Sequence, residues 1–468
     1  MLKKNIITFF FTLFVLTPLW STSQNIKLKT YCIRESTDSF FINKKYIFPK
    51  NLDSISFEKI NKKILLKYSS LGYPFCRIKN DSIIDNSNNY QIFSTLDLNK
   101  KFFIKNIYFI GKNKISKHFI YNLISIAPKD FYNEKKVSNI FNVLSTENLI
   151  KVIKMPEKEF FSYYADLYLY FNTIKTNNIN ALAMLCYDQT DHKYYLKGQA
   201  GITLKNNFSH AEEINFSWFG FNKQSQQLDL EINLPFIFKT KTSFATNANL
   251  TKTGSKDLNI RFSPKILIKH GLYFYSGFLA DFRRITTSNL ELSNDFLSAK
   301  TFLLGIENIF KQKNICITNS ISTGNREKET ISELCLTIKG KQNIFEGKIF
   351  LNYLFQAKNL ISNQNLYYYE KYPLGGPGQL RGFNKNQFYA QRYVLINSEL
   401  VYELSDLFSI LVFNDICKID QLYSGLGPGI RIAKGQSEIN FNYALEIFDK
   451  KIQPLKYAKA HIFIILKF

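Results

Sequence analysis

The stretch Pro373-Leu374-Gly375-Gly376-Pro377-Gly378-Gln379-Leu380-Arg381-Gly382-Phe383 cannot form the interior of a helix or of a central strand. It holds four glycines and two prolines in eleven residues. Glycine costs a helix or strand conformational entropy, and proline removes a backbone hydrogen-bond donor. One cation, Arg381, stands near its end, followed by Gly382 and Phe383. The stretch therefore predicts a long, shaped loop that carries a single charge.

On both sides of this loop, apolar and polar residues alternate from about residue 178 to the C-terminus. The alternation is clear in residues 227–234, 258–263 and 438–447. Strands of a transmembrane barrel have this pattern, because their outer face contacts lipid and their inner face contacts water. A soluble β-sandwich shows the same alternation, so the pattern alone leaves both folds open.

The length and number of these segments favour the barrel. Many reach about ten residues, the length that a tilted strand needs to cross a bilayer. We count about sixteen candidate strands in residues 178–468, and an even number in this range is typical of outer-membrane barrels. About eleven precede the glycine-rich stretch and about five follow it. The sequence thus predicts an all-β transmembrane barrel of 16 antiparallel strands, whose longest connection is the loop 357–390.

The composition of the chain limits its partners. Aromatic residues make up 16% of the 468 residues, and the mean hydropathy is −0.16, values that suit neither a disordered chain nor a helical membrane protein. The net charge of +24 is compatible with nucleic acid, anionic lipid or acidic substrates. The lysines are scattered and form no stripe with arginines and aromatic residues, so we expect no nucleic-acid partner.

The N-terminus, residues 1–23, is typical of a secretory signal peptide. Two lysines precede an apolar core at 6–16, and Ser21 and Ser23 supply the small residues that cleavage requires. The core is too short to span a bilayer, and no later run reaches about 18 apolar residues. We therefore expect an exported chain that is either soluble or a β-barrel.

Between the signal and the barrel, two small α+β modules are expected at residues 24–100 and 101–175. In the first, apolar positions on one face predict a helix at 57–68, followed by two strands. The second has the order β-α-α-β-β, with helices that Ser116 and Asn133 are expected to cap. The arrangement predicts two consecutive modules of related plan.

Several motifs resemble those of known families. The order strand, Gly-x-Asn, helix and the phrase Gly72-Tyr73-Pro74-Phe75 resemble the POTRA domain, a periplasmic module that receives client polypeptides. Leu380-Arg381-Gly382-Phe383 resembles the (V/I)RG(F/Y) signature of the BamA/TamA-type outer-membrane assembly (bacterial surface antigen) family. Three later segments resemble the twelfth, thirteenth and fourteenth strands of that family: 397–400, 413–415 and 427–431. The end of the chain, with Ile464, Leu466 and Phe468, resembles the terminal signal by which barrels are recognised for insertion.

The resemblance implies a role for each residue of the loop signature. The loop would fold into the barrel lumen, where Arg381 would pair with Glu399 and Asp415. A buried guanidinium is costly unless paired, and its planar fork suits carboxylates. Gly382 would let the backbone come close to the wall, and Phe383, after the conservative Leu380, would pack on it. Taken alone, the Arg-Gly-Phe motif favours an exposed turn with a solvated arginine.

For function, the resemblance implies a bacterial outer-membrane barrel that inserts or translocates client polypeptides, with modules that receive them in the periplasm. Its partners would be unfolded or nascent outer-membrane proteins, outer-membrane lipid, and periplasmic or lipoprotein accessory subunits. A dedicated exporter of one partner protein and a plugged passive pore remain open as alternatives.

Motifs for catalysis are missing from the sequence. The five histidines form no HExxH motif, the six cysteines form no CxxC pair, and neither GxSxG nor a phosphate-binding loop occurs. We therefore expect no enzyme, no catalytic residue, no cofactor and no metal site.

Overall fold

The computed structural model describes most of the chain after the N-terminal segment. The described residues are 28–36, 41–52, 54–86, 89–188, 193–220, 225–254, 257–288, 296–327, 329–345, 347–363, 365–366, 370–376, 378–405, 407–434, 437–448, 451–452 and 458–467. The expected signal peptide, 1–23, lies outside these ranges. Across them, none of the helices has the length and apolar character needed to cross a membrane.

The described residues form two compact units. The first contains those up to Lys105 with 129–135 and 160–165, and the second contains the rest. In the first unit, a four-stranded sheet has the order β2-β1-β4-β3. Its elements are β1 (Leu28–Ser36), β2 (Phe41–Leu52), α1 (Ser54–Ser69), β3 (Arg77–Asn86) and β4 (Asn89–Asp97). Helix α1 packs Ile64 and Tyr68 against Ile92 and Leu96 of β4, so one face of the helix covers the sheet.

The next elements keep the predicted order of a strand, then helices, then strands, but the predicted second helix is divided into two short ones and three strands follow it, not two. They are β5 (Phe103–Ile110), α2 (Lys117–Ile124), α3 (Glu134–Ser138), α4 (Ile140–Leu144), β6 (Ile150–Val152), β7 (Glu157–Phe160) and β8 (Tyr164–Thr173). The sheet has the order β5-β8-β6, with β7 also beside β8. Helix α2 buries Phe119, Ile120, Leu123 and Ile124, and this spacing of three and four residues is that of one helical face. Ser116 is the N-cap of α2, but its side chain makes no capping hydrogen bond.

The second unit is dominated by a closed barrel of 16 long antiparallel strands, counted over the described residues. Eleven come before the loop: β9 (Asn178–Asp188), β10 (Lys193–Lys205), β11 (Glu213–Gly220), β12 (Gln226–Leu234), β13 (Thr242–Thr253), β14 (Asp257–His270), β15 (Phe274–Ser288), β16 (Phe296–Gln312), β17 (Ile315–Arg326), β18 (Glu329–Phe345) and β19 (Ile349–Ser362). The loop carries β20 (Tyr372–Leu374) and β21 (Phe388–Ala390). After it come β22 (Arg392–Glu403), β23 (Phe408–Lys418), β24 (Leu422–Lys434), β25 (Ser437–Phe448), the two-residue β26 (Lys451–Ile452) and β27 (Lys459–Lys467). The predicted barrel, with eleven strands before the loop and five long strands after it, is confirmed.

The alternation in the sequence becomes an apolar outer wall and a polar interior. On β23, Ile410 and Val412 are exposed, whereas Leu411, Phe413 and Asp415 are buried. Large apolar side chains are exposed at alternate positions of many other strands. Such a surface would be unfavourable in water and is typical of a wall that contacts lipid.

The loop is shorter than the sequence predicted. Strand β19 continues to Ser362 and β22 begins at Arg392, so the connection spans 363–391 and not 357–390. The difference arises because Lys358 and Asn359 still pair with both neighbouring strands, and the residues up to Ser362 still pair with β18. We call the end of the barrel at which β9 begins the entry end. Because the strands are antiparallel, β19 reaches the opposite, far end, from which the loop departs.

Candidate functional site

The loop returns into the barrel interior. Its strands β20 and β21 pair with each other through Tyr372 and Ala390, Pro373 and Tyr389, and Leu374 and Phe388. Apolar side chains of the loop and of the wall form one buried cluster: Leu303, Ile331, Leu360, Leu366, Tyr372, Leu374, Leu380, Phe383, Ala390, Tyr393, Leu395 and Cys417. The loop is therefore packed against the inner wall over much of its length.

Arg381 lies at the centre of this contact. Its Nε and Nη2 donate to Oδ2 and Oδ1 of Asp415, each at 2.7 Å, and its Nη1 donates to Oε1 of Glu399 at 2.7 Å. The backbone N–H of Arg381 also donates to Asp415 Oδ2 at 3.0 Å. The guanidinium carbon lies 3.7 Å from the centre of the Phe413 ring. The structure thus brings together the arginine and both carboxylates that the resemblance named.

The electrostatics of this group depend on its burial. Asp415 is fully buried and Arg381 is 6% exposed, so neither charge is stabilised by bulk water. Burial alone lowers the pKa of Arg381, but the hydrogen bonds and charges of Asp415 and Glu399 more than offset it and raise that pKa above its ordinary value. A bidentate pair with a second carboxylate satisfies most donors of the guanidinium fork. We call this group of Arg381, Asp415 and Glu399 the lock, because its ion pairs join the loop to the wall.

Two glycines permit the close approach of loop and wall. Gly382 has φ +93°, a left-handed conformation that L-residues rarely adopt. On the wall, a Cβ at Gly425 of β24 would overlap the carbonyl oxygen of Arg381. Next to them, Phe383 is 1% exposed and packs edge-to-face on Tyr423 of β24, with ring centres 5.9 Å apart.

We expect Gly425→Ala to loosen the loop without any change in charge. The new methyl group would overlap the Arg381 carbonyl, so the backbone of the loop must retreat and lengthen the bonds to Asp415. Limited proteolysis of the folded barrel should then cut the loop faster than in the parent chain. A cutting rate equal to the parent's would show that the close approach at Gly425 is not needed to seat the loop.

A second set of contacts holds the stem of the loop, and sequence reasoning missed it. Arg326 Nε, at the far end of β17, donates to Glu370 Oε1 of the loop at 2.5 Å. Tyr372 donates its hydroxyl to Glu333 Oε1 of β18 at 2.7 Å. Glu333 also pairs with Arg283 of β15. The loop is therefore tied to two separate parts of the wall, near its stem and near its tip.

Around Glu333, further charges of the wall form a network. Asp281 accepts from Arg261 Nη2 at 2.6 Å and from Arg283 Nη2 at 2.5 Å. Asp281 and Arg283 are two residues apart on one strand, so their side chains share the interior face. That spacing is the only signal in the sequence that could have pointed to the network, and it does not name Glu333 or the loop.

The closure of the barrel is the shortest pairing between two of its long strands, within the described residues. Strand β27 pairs with β9 only through Leu466 with Ile179 and Lys467 with Asn178, within the described parts of both strands. By comparison, β27 pairs with β25 over seven residue pairs and β9 pairs with β10 over eleven. Of the predicted terminal signal, Ile464 and Leu466 lie exposed on β27, and Phe468 lies outside the described residues. We call the β27–β9 junction the seam.

At the entry end, helix α2 contacts the turns of the barrel. The buried Lys269 of β14 donates its Nζ to the carbonyl oxygen of Asn122 at 3.2 Å and to that of Leu123. Ser125, which follows α2, donates to the carbonyl oxygen of Gly271 at 2.9 Å. A cation at the end of a helix satisfies carbonyls that have no partner within the helix. The helix is thereby fixed against the mouth of the barrel.

Comparisons with known proteins identify the fold. No protein-family model matches the sequence, and no curated protein does. Among solved structures, CdiB from Escherichia coli is similar with a TM-score of 0.60 and 10% identity, covering 97% of this chain and 93% of that one. CdiB from Acinetobacter baumannii has a TM-score of 0.58 and 13% identity, with the same coverage of both chains. BamA from Haemophilus ducreyi, lacking POTRA domains 1–3, has a TM-score of 0.45 and 12% identity, and the match covers 94% of this chain and 99% of that one. The chain therefore has the fold of the CdiB structures, an all-β barrel as the sequence predicted.

Proposed function

We propose that this chain is a bacterial outer-membrane barrel that inserts or translocates client polypeptides. The observation that carries the proposal is the seam, at which two residue pairs close a barrel of sixteen long strands. Strand edges without partners are costly in lipid, because each free N–H or C=O group there lacks water to bind. A client strand that pairs with β9 would satisfy these groups.

The energetics favour an exchange of strands at this position. Opening the seam breaks two residue pairs, whereas opening the β9–β10 junction would break eleven. A client gains main-chain hydrogen bonds when it adds a strand to such an edge, and side chains at alternate positions supply selectivity. The seam is thus the place where the barrel can open at the lowest cost.

The other parts have roles consistent with this function. The small α+β modules that precede the barrel, at 24–100 and 101–175, are proposed to be POTRA domains in the periplasm, where they receive unfolded or nascent clients. The lumen loop, held by Arg381, Glu399 and Asp415, is proposed to stay in place inside the barrel while the seam opens. Accessory lipoprotein or periplasmic subunits would bind on the periplasmic side.

Depletion of the protein, followed by a census of outer-membrane and secreted proteins, tests the proposal. Broad loss of barrels from the outer membrane would support general assembly. Loss of a single secreted protein would instead identify a dedicated exporter of one partner. An unchanged census, together with altered uptake of small solutes, would identify a plugged pore and contradict the proposal.

A further inference from the structure

The outer wall of the barrel carries a groove that the seam and the lumen loop do not use. It has a volume of about 660 Å³ and lies across β17, β18, β19, β22 and β23. Its floor contains Leu336, Ala357 and Val394, which the strand register places side by side. Ile321 and Leu334 are also opposite each other and form one flank. Because Ala357 has a small side chain between larger ones, the wall is depressed at that point.

Two cations border this apolar groove. Arg392 begins β22 and Lys418 ends β23, so both are at the far end of the barrel. Lys418 is opposite Val394, which makes it the diagonal neighbour of Arg392, at a typical Cα separation of about 7–8 Å. Lys418 Nζ donates to the carbonyl oxygen of Asp420 at 2.8 Å. Both side chains are exposed on the outer wall.

On the strands, the charge on this part of the wall has one sign, and the exposed acids at this end, Glu327 and Asp420, lie in turns. Arg392 forms no ion pair within the described residues. Three other exposed cations face outward near the far end: Lys252, Arg284 and Lys300. In the described strands, the charged side chains that face outward near this end are all basic. Cations on a lipid-facing wall are stable at the level of the lipid headgroups, where phosphate can pair with them.

We propose that this groove binds a phosphate-bearing acyl lipid of the outer leaflet. The phosphate would lie between Arg392 and Lys418, and an acyl chain would lie over Ala357. The guanidinium fork matches phosphate in geometry, and the apolar floor matches a hydrocarbon chain in chemistry. The inference rests on the proposed function in one respect, that the far end of the barrel faces the outer leaflet.

The purified full-length chain in detergent, titrated with diphosphoryl lipid A and observed by native mass spectrometry, tests this site. We expect one molecule of lipid A to bind more tightly than any further lipid A molecules on the same chain. The double variant Arg392→Gln with Lys418→Gln should weaken it about tenfold or more, because it removes charged hydrogen-bond donors. Ala357→Trp should also weaken binding by filling the groove, with no change in charge.

A matched control separates the groove from the general basic surface. Arg284→Gln with Lys300→Gln removes the same charge near the same end, from positions that do not line the groove. This control should bind the lipid as the parent chain does. Equal weakening in both double variants, or no weakening in the first, would overturn the proposal. Displacement of the lipid by inorganic phosphate at equal concentration would also overturn it, since phosphate alone would then explain the binding.

The outcome is independent of client handling. The variant with Arg392→Gln and Lys418→Gln leaves the seam and the lumen loop unchanged, so it should still insert clients. If lipid binding fails while clients are inserted, only the lipid site is wrong. If the parent chain binds the lipid but inserts no client, the proposed function is wrong and the lipid site in the groove is still supported.

Discussion

Arg381→Ala is expected to release the tip of the lumen loop and to abolish client handling. The substitution leaves the fully buried Asp415 without its bidentate partner and removes the ion-pair partner of Glu399. Removal of one member of a buried ion pair typically costs about 3–5 kcal/mol, because the remaining charge is left buried. A cost of that size changes the balance between the seated and the released loop by more than about a hundredfold.

Limited proteolysis with thermolysin measures the release, in folded barrels selected by their heat-modifiable gel mobility. Arg381→Lys should restore protection only in part, because an ammonium is a single point charge and cannot pair with both carboxylates in the same geometry. Lys371→Ala is the matched control, since it removes a cation from the stem of the same loop but not from the lock. Unchanged loop protection and unchanged activity in Arg381→Ala would contradict the role of the lock.

A disulfide across the seam is expected to stop client insertion while the barrel stays folded. Ile179 and Leu466 are directly opposite each other and both exposed. Opposite residues of antiparallel strands have Cα atoms about 4.5–5.5 Å apart, and a disulfide spans about 4.4–6.8 Å. Ile179→Cys with Leu466→Cys should therefore form the bond upon oxidation, and insertion of a reconstituted client should fall to background. Reduction should restore it.

The control for this variant places the same bond where no opening is expected. Leu230 of β12 and Ala248 of β13 are also opposite each other, in a junction of nine residue pairs. Leu230→Cys with Ala248→Cys should leave insertion unchanged in both redox states. If the seam disulfide forms quantitatively and clients are still inserted at the parent rate, the seam is not their route.

The barrel and the lock could be anticipated from the sequence for different reasons. The strands were predictable because alternation is a local property, and each strand carries it independently of its partners. The pairing of Arg381 with Glu399 and Asp415 was predicted from a family resemblance. The periodicity could not predict it, because these carboxylates lie 18 and 34 positions away in the sequence. The end of β19 was misplaced because a few residues of alternating pattern do not show whether pairing continues.

Other features depend on contacts that the sequence does not encode locally. Arg326 and Glu370 are 44 positions apart, and Glu333 and Tyr372 are 39 apart. Each pair is formed only because the loop folds back beside β17 and β18. The seam of two residue pairs likewise follows from the register in which β27 meets β9. That register is set by the closure of the whole barrel.

The central claim, that clients pair with the free edge of β9, is tested most directly by site-specific photocrosslinking. A photoreactive amino acid at Asn180, just past the last paired residue of β9, should crosslink a nascent outer-membrane protein during its insertion in intact cells. The adduct should disappear when the seam disulfide is formed. Adducts with β27 of the same chain alone, under conditions in which clients are being inserted, would contradict the claim.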